Sequence, residues 1–215
     1  MSADANAYSG KTVLITGGGT GVGADMARAF ASRGAAVWIT GRRAEVLENV
    51  AVAHPSITPH VCDVTEEADI IALFDKMECA DIVIANAGAA ASAPFDKTSL
   101  DLWRSIMDVN LTGVFLTLRE GLRRLKASKR PSGRLIAISS ITGKIGYPYI
   151  SAYAASKHGV LGMVKVAALE VAKTGITVNA ICPGYLNTEM TEKSINNIVT
   201  KTGISFEEAA NKLKI

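Results

Sequence analysis

Tyr153 and Lys157 stand four residues apart in the stretch from Ser139 to Lys157, Ser-Ser-Ile-Thr-Gly-Lys-Ile-Gly-Tyr-Pro-Tyr-Ile-Ser-Ala-Tyr-Ala-Ala-Ser-Lys. On a helix, that spacing sets a phenol and an ammonium side by side. A phenol titrates near pH 10, so alone it is a sluggish proton donor or acceptor at neutrality; lowering it to near 7 takes roughly 4 kcal/mol. One cation at about 4 Å supplies that at an effective dielectric of about 20. Ser140, just past a strand, would hold the oxygen that receives the proton. The competing reading is a surface Tyr and Lys on an amphipathic helix, and the pair alone does not exclude it.

A helix and a strand end must hold these groups, and both repeat along the chain. Short apolar runs predict strands over Thr12–Thr16, Ala36–Thr40, Ile57–Cys62, Ile82–Ala85, Arg134–Ser139 and Thr177–Ile181. Helical spacing fills about 21–33, 43–53, 66–77, 99–126 and 151–173. Strict β-α alternation means an α/β fold, with parallel strands joined by right-handed crossovers and helices on both faces of one sheet. No linker, repeat or low-complexity tract interrupts it, so a single domain is expected over 1–215.

The first strand runs into Thr16-Gly17-Gly18-Gly19-Thr20-Gly21-Val22-Gly23, and a helix follows. Free N–H groups, the positive helix end and missing side chains together suit a pyrophosphate, and predict a dinucleotide site. The alternative is a flexible glycine turn. The second strand ends in Thr40-Gly41-Arg42-Arg43 with no carboxylate at its tip. An acid there would accept from a ribose 2′-hydroxyl, whereas guanidinium groups bind a 2′-phosphate. NADP(H) is therefore preferred, with NAD(H) possible; the other reading leaves both arginines as surface decoration. Asp63 and Val64, after the third strand, fall where the adenine ring would lie, and Asp63 would serve equally as a helix N-cap.

Asn86-Ala87-Gly88 closes the fourth strand; its amide would tie adjacent loops and its glycine would let a ligand approach. Asn110 is a poor mid-helix residue with Gly113 three positions on, which fits a local distortion that opens its carbonyl to water, or a tolerated buried polar group. Leu118–Arg134 carries seven basic residues against one acid. A docking patch for nucleic acid or an acidic carrier is one reading; a helix C-terminus complementing its dipole is the other and is preferred. Past the sixth strand, Pro183-Gly184 forces a turn and Thr188 would offer a hydroxyl to a carboxamide.

The whole chain has 215 residues, 48% apolar and 20% charged, with net charge +3. The charge is too small to argue for nucleic acid or a membrane, and no apolar run approaches a bilayer span. Cys62, Cys79 and Cys182 are far apart and odd in number, which fits a reduced, cytoplasmic setting. No metal-ligand spacing is present.

Taken in order, Thr16-Gly17-x-x-x-Gly21-x-Gly23, Asn86-Ala87-Gly88, Asn110, Ser140 thirteen residues before Tyr153, Lys157, Pro183-Gly184 and Thr188 resemble the short-chain dehydrogenase/reductase family. The resemblance covers nearly the whole chain. It implies a three-layer, Rossmann-type doubly wound sheet and hydride transfer between a nicotinamide and a small-molecule carbonyl or alcohol. By that likeness Tyr153 is the acid/base and Ser140 orients the substrate oxygen. Lys157 lowers the phenol's pKa and binds the nicotinamide ribose, and Asn110 holds a relay water. Gly17, Thr20, Gly21, Val22 and Gly23 would hold the pyrophosphate, Arg42 the 2′-phosphate, and Asp63 and Val64 the adenine. Asn86, Ala87 and Gly88 would meet the adenosine side, and Gly184 and Thr188 the nicotinamide. The choice of Ser140 over Ser139 rests on the family's spacing.

Two departures stand out. Ala85 replaces an asparagine that the family often carries. Ser205 and Glu208 form a capping box that opens a helix with Phe206, Ala209, Ala210 and Leu213 on one face, where relatives usually run on to a seventh strand. The expectation is a chain cut short within a lid region, 185–215, with the sixth strand left as an edge. Two functions follow: an NADP(H)-dependent carbonyl reductase or alcohol dehydrogenase, with a lid resembling those for 3-oxoacyl or 3-hydroxyacyl compounds, or a catalytically silent dinucleotide-binding subunit or sensor. A homo-oligomer, dimer or tetramer, is expected through helices 99–126 and 151–173, as in the family.

Overall fold

The computed structural model describes residues 6–52, 54–128, 130–184, 192, 195–196, 199–200 and 203–208. Six strands, β1 (Thr12–Thr16), β2 (Ala36–Gly41), β3 (Ile57–Val61), β4 (Ile82–Ala85), β5 (Gly133–Ile138) and β6 (Ile176–Ile181), form one sheet in the order β3-β2-β1-β4-β5-β6. Every pairing is parallel. The order reverses between β1 and β4, which opens a crevice at their C-terminal ends.

Alternation along the central strands sorts their side chains to two cores. Val13 and Ile15 join α1 (Gly21–Ala31) and α2 (Ala44–Ala51) through Ala24, Ala27, Leu47 and Val50. Leu14 faces the other way, toward Phe74 of α3 (Glu67–Met77), Leu116 of α5 (Gly113–Ala127) and Val160 of α6 (Ser151–Glu170). Pro59 lies in β3, an edge strand, where a missing N–H breaks no ladder.

The expected helix over 99–126 forms, with a local distortion at Asn110. α4 (Leu100–Met107) passes into a π turn at Asp108–Thr112 before α5, with Gly113 N–H closing on the Asp108 carbonyl. The wider turn turns the Asn110 side chain inward, where it is 0% exposed. Gly113 is needed immediately afterwards, because a Cβ there would sit 2.7 Å from Val64 Cγ2.

One domain was expected over 1–215; the chain divides into two compact units, Met1–Cys182 and Pro183–Ile215. In the second unit the capping box forms: Glu208 N–H donates to Ser205 Oγ at 3.1 Å and Ser205 N–H to Glu208 Oε2 at 3.2 Å. Ala209, Ala210, Leu213 and Thr188 lie outside the described residues. Among the described residues no helix is long and apolar enough to cross a membrane.

Candidate active site

The crevice is built from strand ends. Thr16 closes β1 fully buried, and its Oγ1 accepts from Asn86 N–H at 3.0 Å and Ala87 N–H at 3.1 Å. Asn86 answers: its Nδ2 donates to the Thr16 and Gly17 carbonyls. The loops after β1 and β4 are thus locked together by four hydrogen bonds. Gly17 takes φ 65°, and a Cβ there would meet Ala87 Cα at 2.8 Å. Gly23 has even less room, with the Gly17 carbonyl oxygen 2.2 Å from its would-be Cβ.

α1 then begins at an exposed Thr20 that makes no side-chain capping bond, and no acidic residue stands in its first turn. Its first N–H groups and the positive end of its dipole are left for an anion. In front lies a cleft of about 220 Å³ whose lining includes Gly17, Thr20, Arg42, Asp63, Val64 and Ala87. Thr40, fully buried on the same lining, has an Oγ1 with no partner. Arg42 and Arg43 are exposed and form no ion pair among the described residues. These features fit an adenine dinucleotide with its phosphates against α1. Asp63 is not an N-cap; α3 starts beyond Glu66, and Asp63 Oδ1 instead accepts from Thr65 N–H and Oγ1 in a local turn.

The candidate proton-handling groups converge on the C-terminal end of β5. Ser140 begins the turn after the strand, its Oγ accepting from Thr142 N–H at 3.2 Å, and its hydroxyl lies near enough to the Tyr153 phenol to influence its titration. Ser139 is committed elsewhere, its Oγ donating to the Lys157 carbonyl at 3.1 Å. Gly143 admits this packing, since a Cβ would lie 2.8 Å from both the Lys157 carbonyl oxygen and Ser139 Oγ. Lys157 is 4% exposed, and its Nζ donates to the Ile138 carbonyl at 2.9 Å, 5.6 Å from the Tyr153 ring centroid. Burial brings its pKa down from 10.5 to about 8. Burial also raises the Tyr153 phenol above its ordinary value, with the nearby Ser140 hydroxyl the opposing cause. The dominant influence on the phenol is thus its surroundings, which hold it protonated.

Asn110 is held at both amide atoms. Its Oδ1 accepts from Ala89 N–H at 2.8 Å, and its Nδ2 donates to the Ala89 carbonyl at 2.8 Å and to Ser156 Oγ at 3.2 Å. Ser156 in turn donates to the Tyr153 carbonyl at 2.7 Å, which ties the π turn to the helix bearing the phenol. Gly88 sits between them, with a would-be Cβ 3.3 Å from Asn110 Oδ1 and 3.8 Å from Lys157 Nζ. Sequence reasoning gave no role to Thr16, Thr40 or Ser156; only Thr16, a hydroxyl at a strand end before a glycine turn, carried a signal. Gly184 belongs to the second unit.

Four arginines of the basic segment form ion pairs. Arg119 pairs with Glu67, Arg124 with Asp75 and Glu120, Arg123 with Glu120, and Arg130 with Asp81. Arg134 donates to the Gly133 and Gly175 carbonyls.

A phosphate-binding turn, a topological crevice and a Ser–Tyr–Lys cluster at its end define a dinucleotide-dependent oxidoreductase. The family described as short chain dehydrogenase matches residues 11–198. D-beta-hydroxybutyrate dehydrogenase of Rhizobium meliloti (strain 1021) is 37% identical over 215 residues, 95% of this chain and 83% of the relative. The 3-oxoacyl-(acyl-carrier-protein) reductase of Rickettsia prowazekii (strain Madrid E) is 36% identical over 186 residues, 86% of this chain and 76% of the relative. A crystal structure of a variant actinorhodin polyketide ketoreductase with NADPH superposes with TM-score 0.86 at 32% identity, covering 94% of this chain and 81% of that one. The chain belongs to the short-chain dehydrogenase/reductase family and is an NAD(P)-dependent oxidoreductase of carbonyl and alcohol groups. The silent-subunit reading finds no support among these relatives, each named a dehydrogenase or reductase.

Proposed function

We propose that the chain is an NADP(H)-preferring reductase of 3-oxoacyl compounds, reversible toward 3-hydroxyacyl ones, with Tyr153 as the acid/base. The observation that carries the reading is the half-buried Tyr153 phenol, brought with Ser140 and the buried Lys157 ammonium to the C-terminal end of β5. A protonated acid beside a hydroxyl is what a carbonyl oxygen needs as it gains charge. Ser140 holds that oxygen, and the Tyr153 hydroxyl delivers its proton. Lys157, fixed on the Ile138 carbonyl, is placed to donate to ribose hydroxyls. Both amide atoms of the Asn110 side chain are bonded within the protein, so we assign a relay water there to its main-chain carbonyl, within the π turn. The nicotinamide supplies or accepts the hydride.

Gly17, Thr20, Gly21, Val22 and Gly23 would hold the diphosphate, Asp63 and Val64 the adenine, Asn86, Ala87 and Gly88 the adenosine side, and Gly184 and Thr188 the nicotinamide. Arg42, unpaired at the tip of β2 with no acid beside it in sequence, supports NADP(H). The substrate class is supported by relatives named for 3-oxoacyl and hydroxybutyrate chemistry. Val166 and Leu169 on α6 and Phe115 on α5 are exposed apolar residues, which supports a homodimer through these helices. Three free thiols, two of them buried, support a reducing compartment such as the cytoplasm.

The test is Tyr153→Phe with NADPH and a panel of ketones and 3-oxoacyl thioesters. Turnover is expected to fall by at least about 100-fold while NADPH binding persists; unchanged turnover on every accepted substrate sinks the assignment. For the cofactor, Arg42→Asp is expected to weaken NADPH binding about 10- to 100-fold relative to NADH, the range of a lost charged hydrogen bond. An unaltered NADPH preference removes the arginine argument.

A further inference from the structure

The loop that leads to the phenol contains an aromatic residue in a backbone conformation that aromatic residues avoid. Tyr149 lies at φ 71°, in the left-handed region where bulky side chains are outliers. The other non-glycine residue at positive φ among the described residues is Glu78, just after α3, where Cys79 N–H closes a tight three-residue turn on the Met77 carbonyl at 2.9 Å. Tyr149 ends no helix. Packing does not hold it either, since it is 65% exposed. What holds it is main chain: the Tyr149 carbonyl accepts from Ala93 N–H at 2.8 Å. A glycine would make that bond without crowding. The ring's use therefore lies outside the chain's own packing, and strain of this kind concentrates at ligand clamps.

That hydrogen bond joins two loops. One leaves β4 and carries Gly88 and Ala89 past Asn110 toward α4; the other leaves β5 and carries Ser140 toward Tyr153. β4 and β5 are neighbours in the sheet, so the loops flank one mouth. Phe95, two residues beyond Ala93, is 83% exposed. Each loop thus presents one large exposed aromatic residue near the point where the two are bonded. A carbonyl held by Ser140 and Tyr153 would send its substituents out past these loops, which leave the neighbouring strands β4 and β5.

We infer that Tyr149 and Phe95 select substrate by gripping an apolar tail on the reacting carbonyl, as an aromatic clamp at the mouth of the site. The inference rests on the carbonyl-reductase reading above. An aliphatic tail gains contact with two flat ring faces, whereas a tail of one or two carbons ends before reaching them.

The experiment compares acetoacetyl and 3-oxooctanoyl thioesters of N-acetylcysteamine, with NADPH, in the wild-type chain, Tyr149→Ala, Tyr149→Gly and Phe95→Ala. The ratio of kcat/KM for the longer over the shorter thioester is expected to fall about 10-fold in each variant, through KM, as for other losses of apolar pocket contact. Tyr149→Gly is expected to melt about 2 °C or more above Tyr149→Ala, because only glycine relieves the backbone. An unchanged ratio in the Tyr149 variants overturns the clamp, and a glycine variant no more stable than the alanine one overturns the strain on which it rests. Calorimetric titration of the 3-oxooctanoyl thioester needs no turnover. Weaker binding to Tyr149→Ala than to wild type supports the clamp even if neither thioester is reduced, and equal or no binding overturns it. Failure of the wild type to reduce any carbonyl sinks the reductase reading instead.

Discussion

Lys157 is an ammonium in surroundings that favour the amine. It is buried against the end of β5, and burial lowers its pKa from 10.5 to about 8, with the Cys182 thiol pulling weakly the other way. Below pH 8 the folded protein carries a charge that the unfolded chain solvates better. Between about 8 and 10.5 the unfolded chain binds more protons than the native one, so stability rises with pH, by about 1.4 kcal/mol per unit. The full penalty at pH 7 is roughly 3 kcal/mol. Lys157→Met keeps the length and removes the charge, at the cost of the hydrogen bond to the Ile138 carbonyl, about 1 kcal/mol. The variant is therefore expected to be about 2 kcal/mol more stable than wild type at pH 7, which raises Tm by roughly 4 to 8 °C for a chain of this size. By pH 9.5 wild type should have regained about 2 kcal/mol relative to the variant, and the advantage should vanish. Urea unfolding of both proteins at the two pH values measures this directly. Parallel behaviour from pH 7 to 9.5, or a variant less stable at pH 7, would refute the claim that a desolvated lysine is held here. Turnover should be lost throughout, a gain in stability made at the expense of the site.

Two further predictions concern the frame. Thr16→Val leaves the N–H groups of Asn86 and Ala87 without their acceptor, and should cost about 2 to 4 kcal/mol and weaken NADPH binding, with Thr16→Ser restoring most of both; a Val variant equal to wild type in urea would show that the clamp is dispensable. At the opposite end of the sheet, Asp81 accepts from Thr12 N–H and pairs with Arg130 and Lys11. Burial alone would raise its pKa, but these donors outweigh it and the pKa is lowered. Its contribution is present above the ordinary carboxylate range and lost as pH falls through its lowered value. Asp81→Asn should cost about 2 kcal/mol at pH 7 and flatten the acid limb of the stability curve; an unchanged limb would point to other carboxylates.

What could be read from the chain alone was whatever depends on neighbours in sequence. Apolar runs and helical spacing placed all six strands to within a residue or so of their ends, because burial on a two-faced sheet constrains each strand separately. The phosphate turn, the arginines after β2 and the Tyr153–Lys157 pair were legible for the same reason. Even the distortion in the long helix left a trace, in an Asn and a Gly that a regular helix would not favour. Tertiary structure decided the rest, because it turned on groups far apart in the chain. Ser140 rather than Ser139 lies near the phenol, since α6 takes Ser139 for the Lys157 carbonyl. Four arginines of the basic run pair with Glu67 and Asp75 of α3, with Glu120 of their own helix and with Asp81, partners mostly distant in sequence. Desolvation of Lys157 and Tyr153 depends on the walls that close around them. The Tyr-x-x-x-Lys spacing marked the candidate groups; the packing around β5 and α6 set how far each is withdrawn from water.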